Sequence, residues 1–314
     1  MSKFASILAF VLLLGTSFAP AVATERVEPG PTAVVPAATK NGHMTINGVG
    51  YYYEVRGKGE PLLMLHGGLG SIEMFGPALA QFADTRQVIA VDLQGHGRTL
   101  LGDRPFRLES MGDDMAVLVK QLGHDKVDVL GYSIGGGVAF RMAVQHPERV
   151  RRLVLVSTPF SDSGWYPAIH AQQVMLTAEM APMMQDTPMY KSYAALAPKV
   201  EDFPRLLGVL GDFMRQHYDW SSDVAKLTMP VMLVYGDGDM LQPEHEIKFY
   251  QLLGGGLRDA GWQRETLSKN RLAILPDLTH YDIFASPRVA TTALPFLDGK
   301  SDTRSWAEQV DNAK

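Results

Sequence analysis

Short apolar runs separated by segments of helix length recur along this chain of 314 residues. Residues 44–46 and 51–55 flank Asn47-Gly48, a dipeptide typical of a tight hairpin turn. Six further runs have the length and the continuous apolar character of strands buried on both faces. They cover 61–65, 87–92, 127–131, 150–157, 230–235 and 271–276. The pattern therefore predicts about eight strands, of which the first two form an antiparallel hairpin.

Segments with helical character lie between these runs. In residues 108–122, apolar side chains such as Met111, Met115 and Leu118 recur at the three- and four-residue steps of an amphipathic helix. Other helices are predicted near 74–83, after the strand at 127–131, at 243–253 and at 287–297. Strands that alternate with helices predict an α/β fold, with a mostly parallel central sheet of about eight strands and helices on both faces.

Residues 158–226 differ from the rest of the chain because they contain no strand-like run, and prolines divide them into short pieces. We interpret this segment as a helical cap inserted between two strands. Its methionines and aromatic residues fit either the cap's own core or an adaptable apolar pocket. Trp165, Tyr166 and Met184 are the candidate substrate-binding residues.

The two ends of the chain lie outside this pattern. Residues 1–23 combine Lys3, an apolar run and Ala21-Val22-Ala23, as a cleavable signal peptide does. The apolar run is shorter than the ~20 residues of a spanning helix, which favours export over the alternative of a membrane anchor. We therefore expect a periplasmic or secreted protein. A proline-containing linker is predicted at 24–42 and a polar tail at 298–314, with core segments at 43–157 and 227–297.

Composition narrows the possible chemistry. The formal net charge of −5 argues against a nucleic-acid partner. The chain has no cysteine, which excludes a thiol nucleophile, a thiolate metal site and a lipoprotein anchor. No histidines or carboxylates have the spacing of metal ligands, so neither a metal nor another cofactor is expected.

The candidate nucleophile is Ser133, in the sequence Gly131-Tyr132-Ser133-Ile134-Gly135 at the end of the 127–131 strand. A serine on a sharp strand-to-helix turn needs small residues two positions away on either side, because a Cβ there would collide. The helix that follows offers free N–H groups and a partial positive charge near the serine. These features predict a nucleophile elbow.

Potential partners for Ser133 follow other strands, in the order serine, acid, histidine. Asp237 and Asp239 come after the 230–235 strand, and His280 comes after the 271–276 strand. Sites in such sheets form outside the carboxyl ends of the strands. A serine hydroxyl needs a base, histidine can take and return a proton near neutral pH, and a carboxylate can orient the histidine.

This combination resembles the α/β-hydrolase family from about residue 43 to 297. The resemblance rests on His66-Gly67-Gly68, Asp92-x-x-Gly95-x-Gly97, the Ser133 elbow, Gly236-x-x-Asp239 and His280. It implies that Ser133 is the nucleophile, His280 the base and Asp239 the acid. Asp237 is the alternative acid, and His245 is the alternative histidine.

The resemblance also assigns roles to two loops. The oxyanion hole would use the backbone N–H of Ile134 and one from Gly68 or Leu69. His66 and His96 are expected to shape loops and to take no part in acid–base chemistry.

The sequence predicts an exported serine hydrolase that cleaves an ester or lactone of a moderately apolar small molecule, with no stable membrane insertion after signal cleavage. A serine at the elbow differs from the aspartate of dehalogenases and epoxide hydrolases of this fold. The absence of a proline after the glycines of 66–70 disfavours a proline iminopeptidase. A peptidase, a carbon–carbon bond hydrolase, a perhydrolase and a non-catalytic ligand-binding protein stay open as alternatives, as does the oligomeric state.

Overall fold

The protein is described by a computed structural model that covers residues 35–300 and, beyond them, Ser305, Trp306 and Val310. The expected signal peptide lies outside these residues, and so do most of the expected linker and most of the expected C-terminal tail. In the described part of the chain, no helix combines the length and the apolar character needed to cross a membrane.

The centre of the described structure is one sheet of eight strands. The strands are β1 (Lys40–Ile46), β2 (Val49–Arg56), β3 (Glu60–Leu65), β4 (Arg86–Val91), β5 (Val127–Tyr132), β6 (Val150–Val156), β7 (Val231–Gly238) and β8 (Arg271–Thr279). Their order across the sheet is β1-β2-β4-β3-β5-β6-β7-β8. The β1–β2 and β2–β4 pairs are antiparallel, and the remaining pairs are parallel. The mostly parallel sheet predicted from the sequence is confirmed.

The apolar runs are continuous because both faces of the parallel strands are covered. In β3, Leu63 and Leu65 belong to the apolar cluster on one face of the sheet, while Leu62 and Met64 belong to the cluster on the other face. All four side chains are fully buried. Since alternate side chains of a strand point to opposite faces, one short apolar run supplies two layers of core.

Within residues 35–300, ten α-helices surround this sheet. They are α1 (Gly76–Thr85), α2 (Leu108–Gln121), α3 (Ile134–Gln145), α4 (Pro167–Gln173), α5 (Ala181–Met184), α6 (Pro188–Leu196), α7 (Phe203–Met214), α8 (Ser221–Val224), α9 (Pro243–Leu252) and α10 (Pro287–Leu297). Met115 of α2 and Phe140 of α3 join the cluster on one face, whereas Phe82 of α1 and Val289 of α10 join the other. Helices therefore cover both faces, as predicted.

Helices α4 to α8 lie between β6 and β7, where the sequence predicts a helical cap at 158–226. The longest of them, α7, buries Phe203 and Leu206. Trp220, just before α8, stacks on Phe140 of the core with ring centroids 5.2 Å apart. These side chains belong to the same apolar cluster as the α2–α3 face, so the cap packs as an extension of that face.

Several strands extend beyond their predicted limits. β1 begins at Lys40, so residues 40–42 of the predicted 24–42 linker pair with β2. β7 and β8 continue until Gly238 pairs with Thr279. These ends are strands because they pair with a neighbouring strand. The local apolar pattern contains no information about that pairing.

Candidate active site

Ser133 stands at the junction between β5 and α3. Its backbone angles, φ 52° and ψ −120°, lie in a region that residues with a side chain rarely occupy. The first N–H groups of α3, including that of Ile134, have no partner within the helix. The strained turn therefore places a hydroxyl immediately before a helix end that can stabilise negative charge.

The turn is possible because Gly131 and Gly135 have no side chains. A Cβ on Gly131 would lie 2.3 Å from the carbonyl oxygen of Gly135. A Cβ on Gly135 would lie 2.3 Å from the carbonyl oxygens of Leu65 and His66. These neighbours are backbone atoms of the turn itself and of the end of β3, which cannot move aside separately. Backbone crowding thus requires both glycines of the predicted elbow.

Two side chains extend from Ser133 in a chain of hydrogen bonds. His280, which follows β8, places Nε2 3.1 Å from Ser133 Oγ. Its Nδ1 lies 2.9 Å from Oδ1 of Asp239, in the loop after β7. In such a chain the carboxylate orients the imidazole, and the imidazole can take the proton of the serine. The structure brings together the three residues that the sequence analysis selected as catalytic.

Asp239, and not Asp237, is the carboxylate that pairs with His280. Asp239 is buried, whereas Asp237 is exposed. Oδ1 of Asp239 also accepts the N–H of Met240 at 2.7 Å, and Oδ2 accepts the hydroxyl of Ser157. Burial raises the pKa of Asp239, but His280 and these hydrogen bonds together outweigh burial and hold that pKa below its ordinary value. The carboxylate therefore stays ionised beside the imidazole at neutral pH.

Tyr132 and Trp165 hold His280 from two sides. The hydroxyl of Tyr132 donates to the carbonyl oxygen of His280 at 2.5 Å, and the two ring centroids are 5.1 Å apart. Trp165, from the cap, meets the imidazole edge-on at 5.8 Å. The role of Tyr132 was missed by the sequence analysis, because an aromatic residue at the end of a buried strand fits the core equally well.

The loop after β3 lies against the start of α3. A Cβ on Gly67 would lie 2.6 Å from the ring of Tyr132, and a Cβ on Gly68 would lie 2.8 Å from the side chain of Ile134. Leu69 has a φ of 54°, so the loop turns back at this point. The segment with Gly68 and Leu69 thus contacts the helix start with Ile134, as an oxyanion hole formed by these residues requires.

His66 and His96 hold loops together. His66 Nε2 accepts the N–H of Leu93 at 3.0 Å, and its Nδ1 donates to the carbonyl oxygen of Gly67 at 2.7 Å. His96 Nδ1 lies 2.9 Å from the carbonyl oxygen of Gln94. Burial lowers the pKa of His66 to about 4 and that of His96 to about 3. Both rings are neutral at pH 7, which fits the expected structural role.

His245, the alternative histidine, lies on α9 and attaches the cap to the core. Its ring stacks on Phe160 with centroids 4.0 Å apart, and its Nε2 accepts the N–H of Phe160 at 3.1 Å. A Cβ on Gly164 would lie 2.6 Å from this ring. Burial lowers the pKa of His245 to about 4. The position next to Ser133 belongs to His280.

A cavity of about 30 Å³ lies beside Ser133, between the core and the cap. Its apolar wall consists of Leu108, Ile134, Pro159, Phe213, Met214 and Trp220. Trp165, predicted to bind substrate, lines this cavity. Tyr166 is exposed and Met184 is buried in the cap, so neither lines this cavity, and their role in substrate binding stays a prediction. The packing of each short helix decides which side chains face the cavity.

A groove of about 500 Å³ adjoins the cavity. The two spaces share Leu108, Phe213, Tyr218 and Trp220, which we call the shared wall. The cavity itself has room for about two water molecules. The shared wall thus borders both the groove and the cavity that Ser133 lines.

Asp162, His170 and Gln173 give the cavity a polar side on the cap. The sequence analysis missed all three, since they lie on short elements without a motif or a clear periodicity. In the described part of the chain, no three His, Asp or Glu side chains form a group that could hold a metal ion.

Part of the chain matches a family model, and most of it is similar to a known esterase. Residues 60–185 match the family model described as alpha/beta hydrolase fold. The chain is 27% identical over 260 residues to a pimeloyl-[acyl-carrier protein] methyl ester esterase of Nitrosomonas europaea, which covers 75% of this chain and 94% of that protein.

Solved structures give the same result for the fold. An esterase from Thermogutta terrifontis is similar with a TM-score of 0.63 at 20% identity, over 84% of this chain and 98% of the other. An enol-lactonase from Burkholderia xenovorans LB400 is similar with a TM-score of 0.62 at 17% identity, over 82% of this chain and 100% of the other.

Proposed function

This chain has the α/β-hydrolase fold, and on that basis we propose that it is a serine hydrolase that cleaves an ester or lactone of a moderately apolar small molecule. The observation that carries the proposal is the unbroken chain of hydrogen bonds from Asp239 through His280 to Ser133. The apolar wall of the adjoining cavity supports a substrate with apolar parts. The printed name of the relative from Nitrosomonas europaea, an esterase of a methyl ester, supports cleavage of an ester bond.

In the first half of the reaction, Ser133 Oγ attacks the carbonyl carbon of the ester. His280 Nε2 takes the hydroxyl proton, while Asp239 stabilises the imidazolium through Nδ1. The N–H of Ile134, with one from Gly68 or Leu69, stabilises the oxyanion, and each such donor is worth about 3–4 kcal/mol in the transition state. His280 then gives the proton to the departing alkoxide, which leaves as an alcohol, and the acyl group stays on Ser133.

In the second half, water replaces the alcohol. His280 takes a proton from the water as its oxygen attacks the acyl carbon. The tetrahedral intermediate collapses, the proton returns to Ser133 Oγ, and the carboxylic acid leaves. For a lactone, the alcohol and the acid are parts of one product molecule.

The test is Ser133→Ala, measured with p-nitrophenyl esters and with a small fluorophosphonate probe. We expect turnover to fall by about 10³-fold or more and labelling to vanish, with an unchanged unfolding transition. Ser163→Ala, the same change at an exposed serine, serves as the matched control. Full turnover in Ser133→Ala would refute the assignment. Tight ligand binding by a wild-type protein that neither turns over esters nor reacts with the probe would favour the ligand-binding alternative.

We also infer that residues 1–23 direct export and are removed before Thr24. Intact-mass analysis of the protein from a periplasmic or culture extract would show a chain that begins at Thr24. Leu13→Arg interrupts the apolar run, and we expect the precursor to accumulate inside the cell. A mature protein that keeps residues 1–23 would contradict cleavage.

A further inference from the structure

The polar side of the cavity contains two acceptor atoms without a partner. Among the described residues, four buried side-chain oxygen or nitrogen atoms lack a hydrogen-bond partner. Two of the four, Asp162 Oδ1 and Gln173 Oε1, belong to residues that line the cavity beside Ser133. Buried polar atoms are nearly always paired in folded proteins. Two unpaired acceptors on one small cavity therefore point to a ligand that supplies donors.

Asp162 is held in place by the cap, yet only half of its carboxylate is used. Its N–H donates to the carbonyl oxygen of Tyr218 at 3.2 Å, and its Oδ2 accepts Nδ1 of His217 at 2.7 Å. The side chain of Asp162 is 13% exposed, whereas that of His217 is 84% exposed. Oδ2 thus binds a residue at the surface, whereas the buried Oδ1, in a residue that lines the cavity, has no partner among the described residues. A carboxylate in this state can only accept hydrogen bonds.

Gln173 and His170 come from α4 and stand next to each other on that helix. They are three residues apart, which places them on the same side of the helix. Both line the cavity. Gln172, the neighbour of Gln173, is exposed and does not line the cavity. The helix therefore presents one polar strip to the cavity and another to solvent.

We propose that the cavity selects esters that carry a hydrogen-bond donor, a hydroxyl or an ammonium group, on the part of the molecule that lies against the cap. The donor would bind Asp162 Oδ1 and Gln173 Oε1, while the remaining atoms contact the apolar wall. The proposal rests on the proposed function of Ser133. It also predicts that a substrate with a carboxylate at the same position is disfavoured, because like charges repel and the two acceptors stay unpaired.

Two matched sets of substrates test the proposal with the full mature chain. One set consists of the p-nitrophenyl esters of hexanoic, 6-hydroxyhexanoic and 6-ammoniohexanoic acid, together with the mono-p-nitrophenyl ester of adipic acid. The other consists of acetate esters of hexan-1-ol, hexane-1,6-diol and 6-aminohexan-1-ol, so that the donor lies on the alcohol part. We expect kcat/KM for a donor-bearing member to exceed that of its methyl-ended counterpart by about tenfold or more in one set. The adipate monoester should be the poorest member of its set.

Substitutions then test whether the preference for donor-bearing esters depends on Asp162 and Gln173. Asp162→Asn removes the charge at nearly constant shape, and we expect the preference for the ammonium group to fall by about tenfold and that for the hydroxyl to fall less. Gln173→Leu should lower both preferences. The matched controls are Asp219→Asn, at an exposed aspartate that binds the N–H of Ser221, and Gln172→Leu. Both controls should keep the wild-type preferences.

The possible failures are distinguishable. Equal or better cleavage of the methyl-ended esters by the wild type would overturn this inference, and so would preferences that Asp162→Asn and Gln173→Leu leave unchanged. Normal probe labelling of Ser133 in either case would leave the proposed hydrolase function intact. Loss of labelling and of all ester turnover in the wild type would instead refute the proposed function. Labelling of each variant also shows whether it has folded.

Discussion

The sheet edge around Ser133 and the cap above it differ in how their side chains are held. At the sheet edge, Ser133, Asp239 and His280 each follow a strand of the central sheet, and backbone contacts or hydrogen bonds restrict all three. The cap consists of helices of four to twelve residues, and many of its side chains are only half-buried. Two of its polar atoms, Asp162 Oδ1 and Gln173 Oε1, are buried without partners.

This difference suggests that the sheet edge carries out the reaction, whereas the cap determines which substrates are accepted. Reacting groups must be held within a fraction of an ångström, and strands covered on both faces provide that rigidity. Selectivity depends on which side chains face one cavity, and short helices can change these side chains without disturbing the sheet. Substitutions at the sheet edge should therefore abolish chemistry or folding, whereas substitutions in the cap should change substrate preference.

The largest effect is expected when Asp239 is replaced by Asn. The amide keeps the shape but cannot stabilise the imidazolium of His280, so kcat should fall by about 10³- to 10⁴-fold. Asp237→Asn makes the same change two residues away at an exposed side chain, and kcat should change by no more than about twofold. Steady-state rates on p-nitrophenyl acetate, with unfolding curves for both variants, measure the contrast. A loss in Asp237→Asn as large as that in Asp239→Asn would refute the choice of acid.

The next largest effect is the loss of stability when a side chain is added at the elbow. Gly135→Ala places a Cβ 2.3 Å from two carbonyl oxygens, and we expect the free energy of unfolding to fall by about 3 kcal/mol or more. Gly50→Ala in β2 is the control, because no atom lies within 4 Å of the added Cβ. Its effect should stay below about 1 kcal/mol. Urea unfolding curves give both values, and equal stability of the two variants would show that the elbow is less crowded than described.

The same contrast explains what could be predicted from the sequence. Apolar runs, glycines and strand ends are local features, so the eight strands, the elbow and the order of Ser133, Asp239 and His280 could be derived from them. The inserted cap was recognised because its residues lack strand-like runs. The selection of Tyr166 and Met184, which do not line the cavity, and the omission of Asp162 and Gln173, which do, have one cause. The face that a short helix turns to a cavity depends on packing between segments, which no local pattern contains.

An intermediate effect is expected at Glu246, a buried carboxyl on α9. Burial, with the nearby carboxylates of Asp239 and Glu244, raises the pKa of Glu246 from its ordinary 4.5 to about 8. The folded state therefore binds more protons than the unfolded state between these pH values, and the free energy of unfolding must fall as the pH rises through that range.

Glu246→Gln removes this titration. Relative to the wild type, we expect the variant to gain about 1–3 kcal/mol of unfolding free energy at pH 8 and little at pH 4. Glu244→Gln removes only the smaller of the two neighbouring charges, at an exposed carboxyl on the same helix, and should produce a much smaller pH-dependent gain. Urea unfolding at several pH values measures both differences. A gain for Glu246→Gln that does not depend on pH would mean that this carboxyl titrates normally in the folded protein.

The smallest effect is expected in the cap, at Phe213 of the shared wall. Its ring contacts Phe106 edge-on at 6.0 Å and lines both the groove and the cavity of about 30 Å³. Phe213→Ala should open that wall, so the ratio of kcat/KM for p-nitrophenyl decanoate over acetate should rise by about five- to tenfold. Val209→Ala, which lines only the groove, should leave the ratio unchanged. Labelling by a small fluorophosphonate should stay at the wild-type rate in both variants, because the hydrogen bonds from Asp239 to Ser133 involve neither Phe213 nor Val209. Slower labelling of Phe213→Ala without a change in the ratio would mean that Phe213 positions the reacting groups and does not select the substrate. The division between a rigid reaction site and an adaptable selectivity site would then be wrong.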